Sequence, residues 1–249
     1  MKLTVVGCSG SIPGPDSPAS CYLIEHSGFR LVVDMGHGSL GALQQHVALD
    51  TIDAIVLSHL HADHFIDLTA LHVAHRYGPY SFSGPLPVYG PSNAAGQLAS
   101  AIGLTSPKPL QSSFAFRELS SAASLGPFAV RAERVAHPIE AYGIRFEADD
   151  AVLTYSGDTG PCSALIELSR EADVLLAESS FMHGAENARD LHMTGRQAGE
   201  AARDAVARRL VITHVPPWHD PTVAVAEASE VFNGTIDVAT AGFALEVGR

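Results

Sequence analysis

An apolar, β-branched run, Ile52-Asp53-Ala54-Ile55-Val56-Leu57, leads directly into Ser58-His59-Leu60-His61-Ala62-Asp63-His64. The first stretch reads as a buried strand. The second packs four strong metal ligands into six residues. A chain with this junction must bring the end of a core strand to an accessible rim and turn there. His59 and His61 alternate, so an extended backbone points both the same way. Asp63 and His64 must then come from the turn that follows. One ion would strain the loop by using all four neighbours. Two ions fit, His59 and His61 serving one, Asp63 and His64 the other. An exposed loop can collect histidines without ligating anything, but spaced ligands behind a strand are the stronger pattern.

The chain has 249 residues, 46% hydrophobic and 17% charged, an ordinary globular composition with enough length for a sizeable core. One domain over residues 1–249 is expected. No stretch approaches a membrane span. Met1 to Gly7 reads as a strand rather than a signal peptide, so a cytoplasmic protein is expected. Cys8, Cys21 and Cys162 are odd in number and far apart, which implies neither a disulfide framework nor a paired-cysteine metal site. The net charge is −12 and only Lys2 and Lys108 are lysines. That disfavours broad nucleic-acid binding, which needs phosphate neutralisation, but not a small anion drawn to a metal-lined pocket.

Along the chain, Leu3–Gly7 opens as a strand and Cys8–Ser20 is a Gly/Pro/Ser loop. Cys21–Glu25 and Phe29–Asp34 form a hairpin around Ser27-Gly28. Asp34 either orients a ligand histidine or caps the turn into a helix over Leu40–His46. A helix starting near Phe65 carries His72 and His75 on one face, facing solvent or a substrate pocket. Leu86–Gly90 is a strand, Pro91–Ile102 a helix, and residues 103–113 a loop. Strands are expected over Phe114–Leu119, Phe128–Val135, Tyr142–Glu147, Ala151–Tyr155, Val174–Glu178, Leu210–His214, Ile236–Ala239 and Phe243–Val247. Helices are expected over Cys162–Arg170, over Thr194–Ala207 with Thr194 as cap, and over Val223–Phe232. Both halves pass from strands to strand–helix units, which suggests a duplicated α/β sandwich.

His137, Asp158 and His214 each follow an apolar strand at a turn. A shared rim of strand ends explains all three at once. Imidazole and carboxylate suit divalent transition ions. One partition gives the first ion His59, His61 and His137, and the second Asp63, His64 and His214, with Asp158 bridging. Two ions roughly 3.5–4 Å apart acidify a water and clamp a displacement at phosphorus. Zinc is the default for such ligands; manganese or iron can use the same set.

With these motifs in order, the sequence resembles a metallo-β-lactamase-fold hydrolase along nearly its whole length. Ser58–His64, His137, Ser156-Gly157-Asp158-Thr159 and Thr213-His214 carry the resemblance. It implies an α/β fold, a four-layer αββα sandwich with a dinuclear site. Within it, Val5–Ser11, Val33–Gly36, Tyr142–Arg145, Ala177–Ser180 and His192–Ala198 are similar to the RNase Z branch. The resemblance implies that Glu178 and His192 form a proton-handling pair, with Asp63 helping to hold the nucleophile.

RNase Z carries a long tRNA-gripping arm between the strand holding Gly143-Ile144-Arg145 and Ser156–Thr159. Only Ala148–Thr154 separate Glu147 from Tyr155 here, so no arm fits. Gly14–Ser20, Asp34–Gly38 and Thr213–Trp218 resemble the atypical class II cyclic-nucleotide phosphodiesterases of this fold. A small phosphodiester, 3′,5′-cyclic AMP foremost, is the expected substrate, with no nucleic-acid or membrane partner. A homodimer is the expectation that the family resemblance carries. The alternatives are tRNA 3′-processing, a thioesterase or lactonase of the same fold, and a catalytically silent metal-binding module. His37, His72, His75, Arg76 and Trp218 stay open as substrate contacts.

Overall fold

The computed structural model describes residues 1–119 and 121–248. Among the described residues, fourteen strands form two seven-stranded sheets. The first holds β1 (Lys2–Gly7), β2 (Cys21–His26), β3 (Phe29–Val33), β4 (Ala54–Val56), β5 (Leu86–Gly90) and β6 (Phe114–Glu118). The second holds β7 (Ala122–Leu125), β8 (Phe128–Arg134), β9 (Tyr142–Ala148), β10 (Ala151–Tyr155), β11 (Val174–Glu178), β12 (Arg209–Thr213) and β13 (Thr235–Val238). A last strand, β14 (Ala244–Glu246), leaves the second half and pairs antiparallel with β1.

The expected duplication is visible in strand order. In the first half β1, β2 and β3 run antiparallel and β3 to β6 parallel. In the second, β8, β9 and β10 run antiparallel and β10 to β13 parallel. Alternation along each strand sorts side chains between two faces. Val174 and Leu176 of β11 join the core between the sheets, while Leu175 and Ala177 face outward to helices. Leu3 and Val5 of β1 likewise point in, and Val6 points out.

Helices α1 (Ser39–Leu43), α2 (Ala62–Phe65), α3 (Leu68–Tyr77) and α4 (Ala94–Ala101) follow strands of the first half. Leu40, Phe65, Leu71 and Leu98 from these helices cover the outer face of the first sheet. Helices α5 (Ser163–Leu168), α6 (Gly195–Asp204) and α7 (Pro221–Ser229) cover the second through residues such as Leu165, Ala198 and Ala228. The result is a four-layer αββα sandwich. Among the described residues no helix is long and apolar enough to cross a membrane.

Several element ends differ from the sequence reading. The helix expected to reach His46 stops at Leu43, and the one expected to reach Ala207 stops at Asp204. The last helix starts at Pro221, two residues early, because Asp220 accepts the Thr222 N–H and caps it. Residues 103–113 include a 3₁₀ turn, Lys108–Ser112. β7 went unread because Ala122-Ala123-Ser124-Leu125 has no β-branched or aromatic residue; it is an edge strand held by β8.

Candidate metal centre

Parallel pairing fixes where strand ends lie. β3 and β4 run together, as do β10, β11 and β12. β8 shares their direction because it and β10 are both antiparallel to β9. Within each sheet their carboxyl ends share one rim, the usual place for a site, and donor atoms from the two rims come together. Asp34 follows β3, His59 follows β4, His137 follows β8, Asp158 follows β10, and His214 follows β12; Glu178 ends β11.

Asp63 and His64 sit on α2, a single helical turn rather than an open loop. The turn is clasped from both sides: Met35 N–H donates to the His64 carbonyl at 2.6 Å, and Asp67 N–H to the Met35 carbonyl at 3.0 Å. A Cβ on Gly36 would fall 1.9 Å from the Asp63 carbonyl oxygen, so only glycine allows this approach. His214 adopts a left-handed backbone, φ 55°, uncommon for a residue with a side chain.

The rim gathers three overlapping groups of donor atoms among the described residues. His59, His61, His137 and Asp158 form one, Asp63, His64, Asp158 and His214 a second, and Asp158, Glu178 and His192 a smaller third. Within each group the donor atoms lie within 4.8 Å of one another, and Asp158 belongs to all three. His59 Nε2 is 3.6 Å from Asp158 Oδ2, His214 Nε2 is 3.2 Å from the same oxygen, and His64 Nε2 is 3.3 Å from Oδ1. Asp63 Oδ2 lies 3.5 Å from His64 Nε2 and 3.7 Å from His214 Nε2. His61 Nδ1 is 3.1 Å from His137 Nε2.

A metal fits this donor set. His59 Nε2, His64 Nε2, His214 Nε2 and Asp158 Oδ1 are all buried and make no hydrogen bond. Buried polar atoms are rarely left so, and here they converge on one place. The opposite ring nitrogens are engaged: Nδ1 of His59 with Ser58 Oγ at 3.0 Å, of His64 with Asp34 Oδ2 at 2.8 Å, and of His214 with Ser20 Oγ at 2.9 Å. Imidazoles held by one nitrogen and bare at the other are the usual state of metal-binding histidines.

The electrostatics agree with an anion shared among imidazoles. Burial works against charge on Asp158, but His214, His64 and His59 hold its carboxyl well below the usual carboxylate range. Burial also opposes charge on Asp63, and His64 and His214 overcome it in the same direction. Burial lowers His59, His61 and His137, favouring the neutral, ligating form. His64 departs upward: burial would lower it, but Asp158 and Asp34 on either side raise it well above its ordinary value.

Glu178 and His192 adjoin this cage. Glu178 is fully buried. Its Oε1 accepts from His192 Nδ1 at 2.8 Å and from Thr159 N–H at 2.9 Å, and its Oε2 accepts from Ser180 N–H at 3.1 Å. His192 Nδ1 is 3.9 Å from Asp158 Oδ2. Burial opposes charge on His192, yet the Glu178 bond and the charges of Glu178 and Asp158 raise its pKa. Two residues on, Thr194 caps α6: its Oγ1 accepts the Gln197 N–H while Gln197 Oε1 accepts the Thr194 N–H.

Other sequence candidates lie apart. His72 bonds Ser113 Oγ, His75 bonds the Gly84 carbonyl and stacks on Phe82, and Arg76 bonds Ser112. These contacts tie α3 to neighbouring loops. Trp218 is exposed on the loop after His214. A cavity of about 300 Å³ adjoins that loop, walled by Thr213, Val215, Pro216, Pro217, Val238 and Ala239 and by none of the cage residues. Sequence reasoning missed Ser58, Ser20 and Tyr155 as partners of the cage. Ser58 had a signal in its place beside His59; Ser20 and Tyr155 are far from the residues they support in sequence and had none.

Residues 30–215 match the family model described as the beta-lactamase superfamily domain. The chain belongs to that superfamily. Relatives of this beta-lactamase superfamily member include Rv1339 of Mycobacterium tuberculosis, described as uncharacterized, 41% identical over 256 residues and covering 100% of this chain and 93% of its own. The protein of Bacillus subtilis named "Probable metallo-hydrolase YhfI" is 31% identical over 248 residues, covering 99% and 100%. Its crystal structure, described as a metallo-beta-lactamase fold protein, superposes with a TM-score of 0.88 at 28% identity, covering 98% of this chain and 99% of that one. Ribonuclease Z of Myxococcus xanthus is 27% identical over 303 residues, covering 99% and 98%, which places the superfamily member beside the RNase Z-like branch.

Proposed function

We propose that the protein is a dinuclear metal-dependent phosphodiesterase acting on a small phosphodiester, with 3′,5′-cyclic AMP the leading candidate. The observation that carries this reading is the Glu178–His192 pair set against Asp158, the carboxylate common to both four-ligand groups. His59, His61 and His137 would hold one ion, Asp63, His64 and His214 the other, with Asp158 between them; zinc suits these ligands. When bound, such ions supply charge neutralisation and water activation for displacement at phosphorus.

The chain's own groups supply the rest. Glu178 accepts at His192 Nδ1, which leaves Nε2 as the atom that gives a proton to the departing oxygen. The Glu178 bond and the charges of Glu178 and Asp158 raise the His192 pKa, which favours the protonated ring. Asp63, beside His64 and His214, helps hold the attacking oxygen.

The two-residue turn between β9 and β10, Asp149-Asp150, supports a small substrate over tRNA, since it leaves no arm to grip one. The ribonuclease Z relative keeps pre-tRNA as the rival. The test is hydrolysis of 3′,5′-cyclic AMP and of a pre-tRNA by zinc-replete protein, with product analysis. Release of AMP from the cyclic nucleotide alone is expected; rapid pre-tRNA cleavage without cyclic-nucleotide turnover would overturn the reading.

A further inference from the structure

The cavity of about 300 Å³ beside the His214 loop is closed by three chain segments. Residues 8–17 follow β1 of the first sheet, residues 213–221 run on from the end of β12, and residues 238–241 from the end of β13 in the second sheet. Cross-links hold these walls together. Cys8 Sγ donates to the Ala239 carbonyl at 3.3 Å, and Gly10 N–H donates to the Val215 carbonyl at 3.1 Å. Ser9 forms parallel β-bridges with both Ala19 and Val215. The cavity is therefore formed before anything enters it, as ligand sites usually are.

Its walls select a chemistry. Pro15, Pro216, Pro217 and Pro221 give it rigid apolar faces. No lysine or arginine lines it, and its one carboxylate, Asp16, repels anions. Burial pushes the Cys8 thiol up, so that side chain stays neutral. Two polar groups have no protein partner. Ser9 is only 5% exposed, yet its Oγ is buried and makes no hydrogen bond to the chain. Buried hydroxyls are rarely left so. Asp16 is exposed, and no hydrogen bond or ion pair among the described residues engages its carboxylate. The neighbouring Ser17 hydroxyl, by contrast, is spent: it accepts the Cys8 N–H at 3.0 Å and donates to the Pro18 carbonyl at 2.9 Å. A hydroxyl can donate or accept, and a carboxylate only accepts.

We propose that this cavity is a second binding site, separate from the metal centre, for a flat nitrogen heterocycle that bears an amino group, is uncharged or cationic, and has the size of a nucleobase. The ring lies against the proline faces, the amino group donates to Asp16, and a ring nitrogen accepts from the Ser9 hydroxyl. Thr213 and Val215 flank His214 in the chain, but no cage residue lines the cavity. The site therefore needs no metal, and it stands or falls independently of the phosphodiesterase reading.

The test is calorimetric titration of the full chain, freed of metal by a chelator, with adenine as the probe. One adenine per chain is expected. Indole, a flat ring with no amino group, and benzoate, an anion, should bind about tenfold more weakly. Ser9→Ala and Asp16→Asn should each weaken adenine about fivefold, the worth of one hydrogen bond. Ala241→Trp, at an exposed position of the cavity wall, should abolish binding. Ser9→Ala should leave the melting temperature of the free protein no lower, because the hydroxyl it removes bonds no protein group; a lower one would make Ser9 a structural residue and remove it from the site. No adenine binding, indole or benzoate binding as tightly, or adenine binding untouched by Ala241→Trp overturns the proposal. Binding that appears only with zinc present places adenine at the metal cage and overturns it too. If circular dichroism shows that Ala241→Trp does not fold, Ser9→Ala and Asp16→Asn decide, and unchanged adenine affinity in both overturns the proposal.

Discussion

Glu178 Oε1 lies 2.8 Å from His192 Nδ1, and the same oxygen accepts the Thr159 N–H at 2.9 Å. The carboxylate cannot turn without breaking both bonds, so the His192 ring is held in one orientation by its Nδ1. Replacing His192 by alanine should lower turnover by roughly 10²–10⁴-fold, the range for a general acid. Zinc content, measured by plasma mass spectrometry, should not change, because His192 contributes to neither four-ligand group and in its own three-residue group its Nδ1 is bonded to Glu178. Unchanged turnover would exclude His192 as the acid.

Asp158 is the member common to both four-ligand groups. Asp158→Ala removes an anion facing three imidazoles, so both ions should be lost or strongly weakened. Equilibrium dialysis against zinc checks this; a variant retaining two ions would show that Asp158 does not bridge.

Gly36 abuts the α2 turn that carries Asp63 and His64. Gly36→Ala would drive a methyl group to 1.9 Å from the Asp63 carbonyl oxygen, so one loop must shift. The expected cost is about 1–3 kcal/mol, as for other overpacked sites. Urea denaturation should show it, together with weaker zinc binding, because the shift falls on ligands.

The Thr194 cap holds the start of α6 just beyond His192. Thr194→Ala should cost about 1 kcal/mol. For a chain of this size that lowers the melting temperature by roughly 2–4 °C. Differential scanning calorimetry measures it, and a melting temperature unmoved by the change would mean the cap adds nothing to stability.

Under the dinuclear proposal zinc should stabilise the fold, since the donor groups come from both sheets. At a free concentration near 1,000 times the dissociation constant, one site adds about 4 kcal/mol. Chelator-treated protein should therefore melt lower and recover on adding zinc. Equal melting curves would count against a site spanning the sheets.

Much of this was legible in the sequence because ligands and strands announce themselves locally. The run from Ile52 to His64 shows a strand, a turn and four donors in thirteen consecutive residues. His137, Asp158 and His214 could be grouped because each ends an apolar run. The supports were harder to read. Whether Asp34 oriented a ligand or capped a turn could not be decided, because its partners Ser58, His64 and Tyr155 lie 24, 30 and 121 residues away. Element ends were misread where capping outweighed hydrophobic pattern, as at Asp220, and β7 was missed because pairing with β8, not its composition, makes it a strand.

The return of β14 to the first sheet has a mechanical meaning. Its residues Ala244, Leu245 and Glu246 pair with Thr4, Leu3 and Lys2, so a segment that follows the second sheet completes the first. The halves are thus buckled together, and neither can slide across the other until that strand is stripped from β1. The spacing of the rim, where one half offers a dense cluster of ligands and the other offers them singly, is kept by a fastening at the sheet edge, away from any ion.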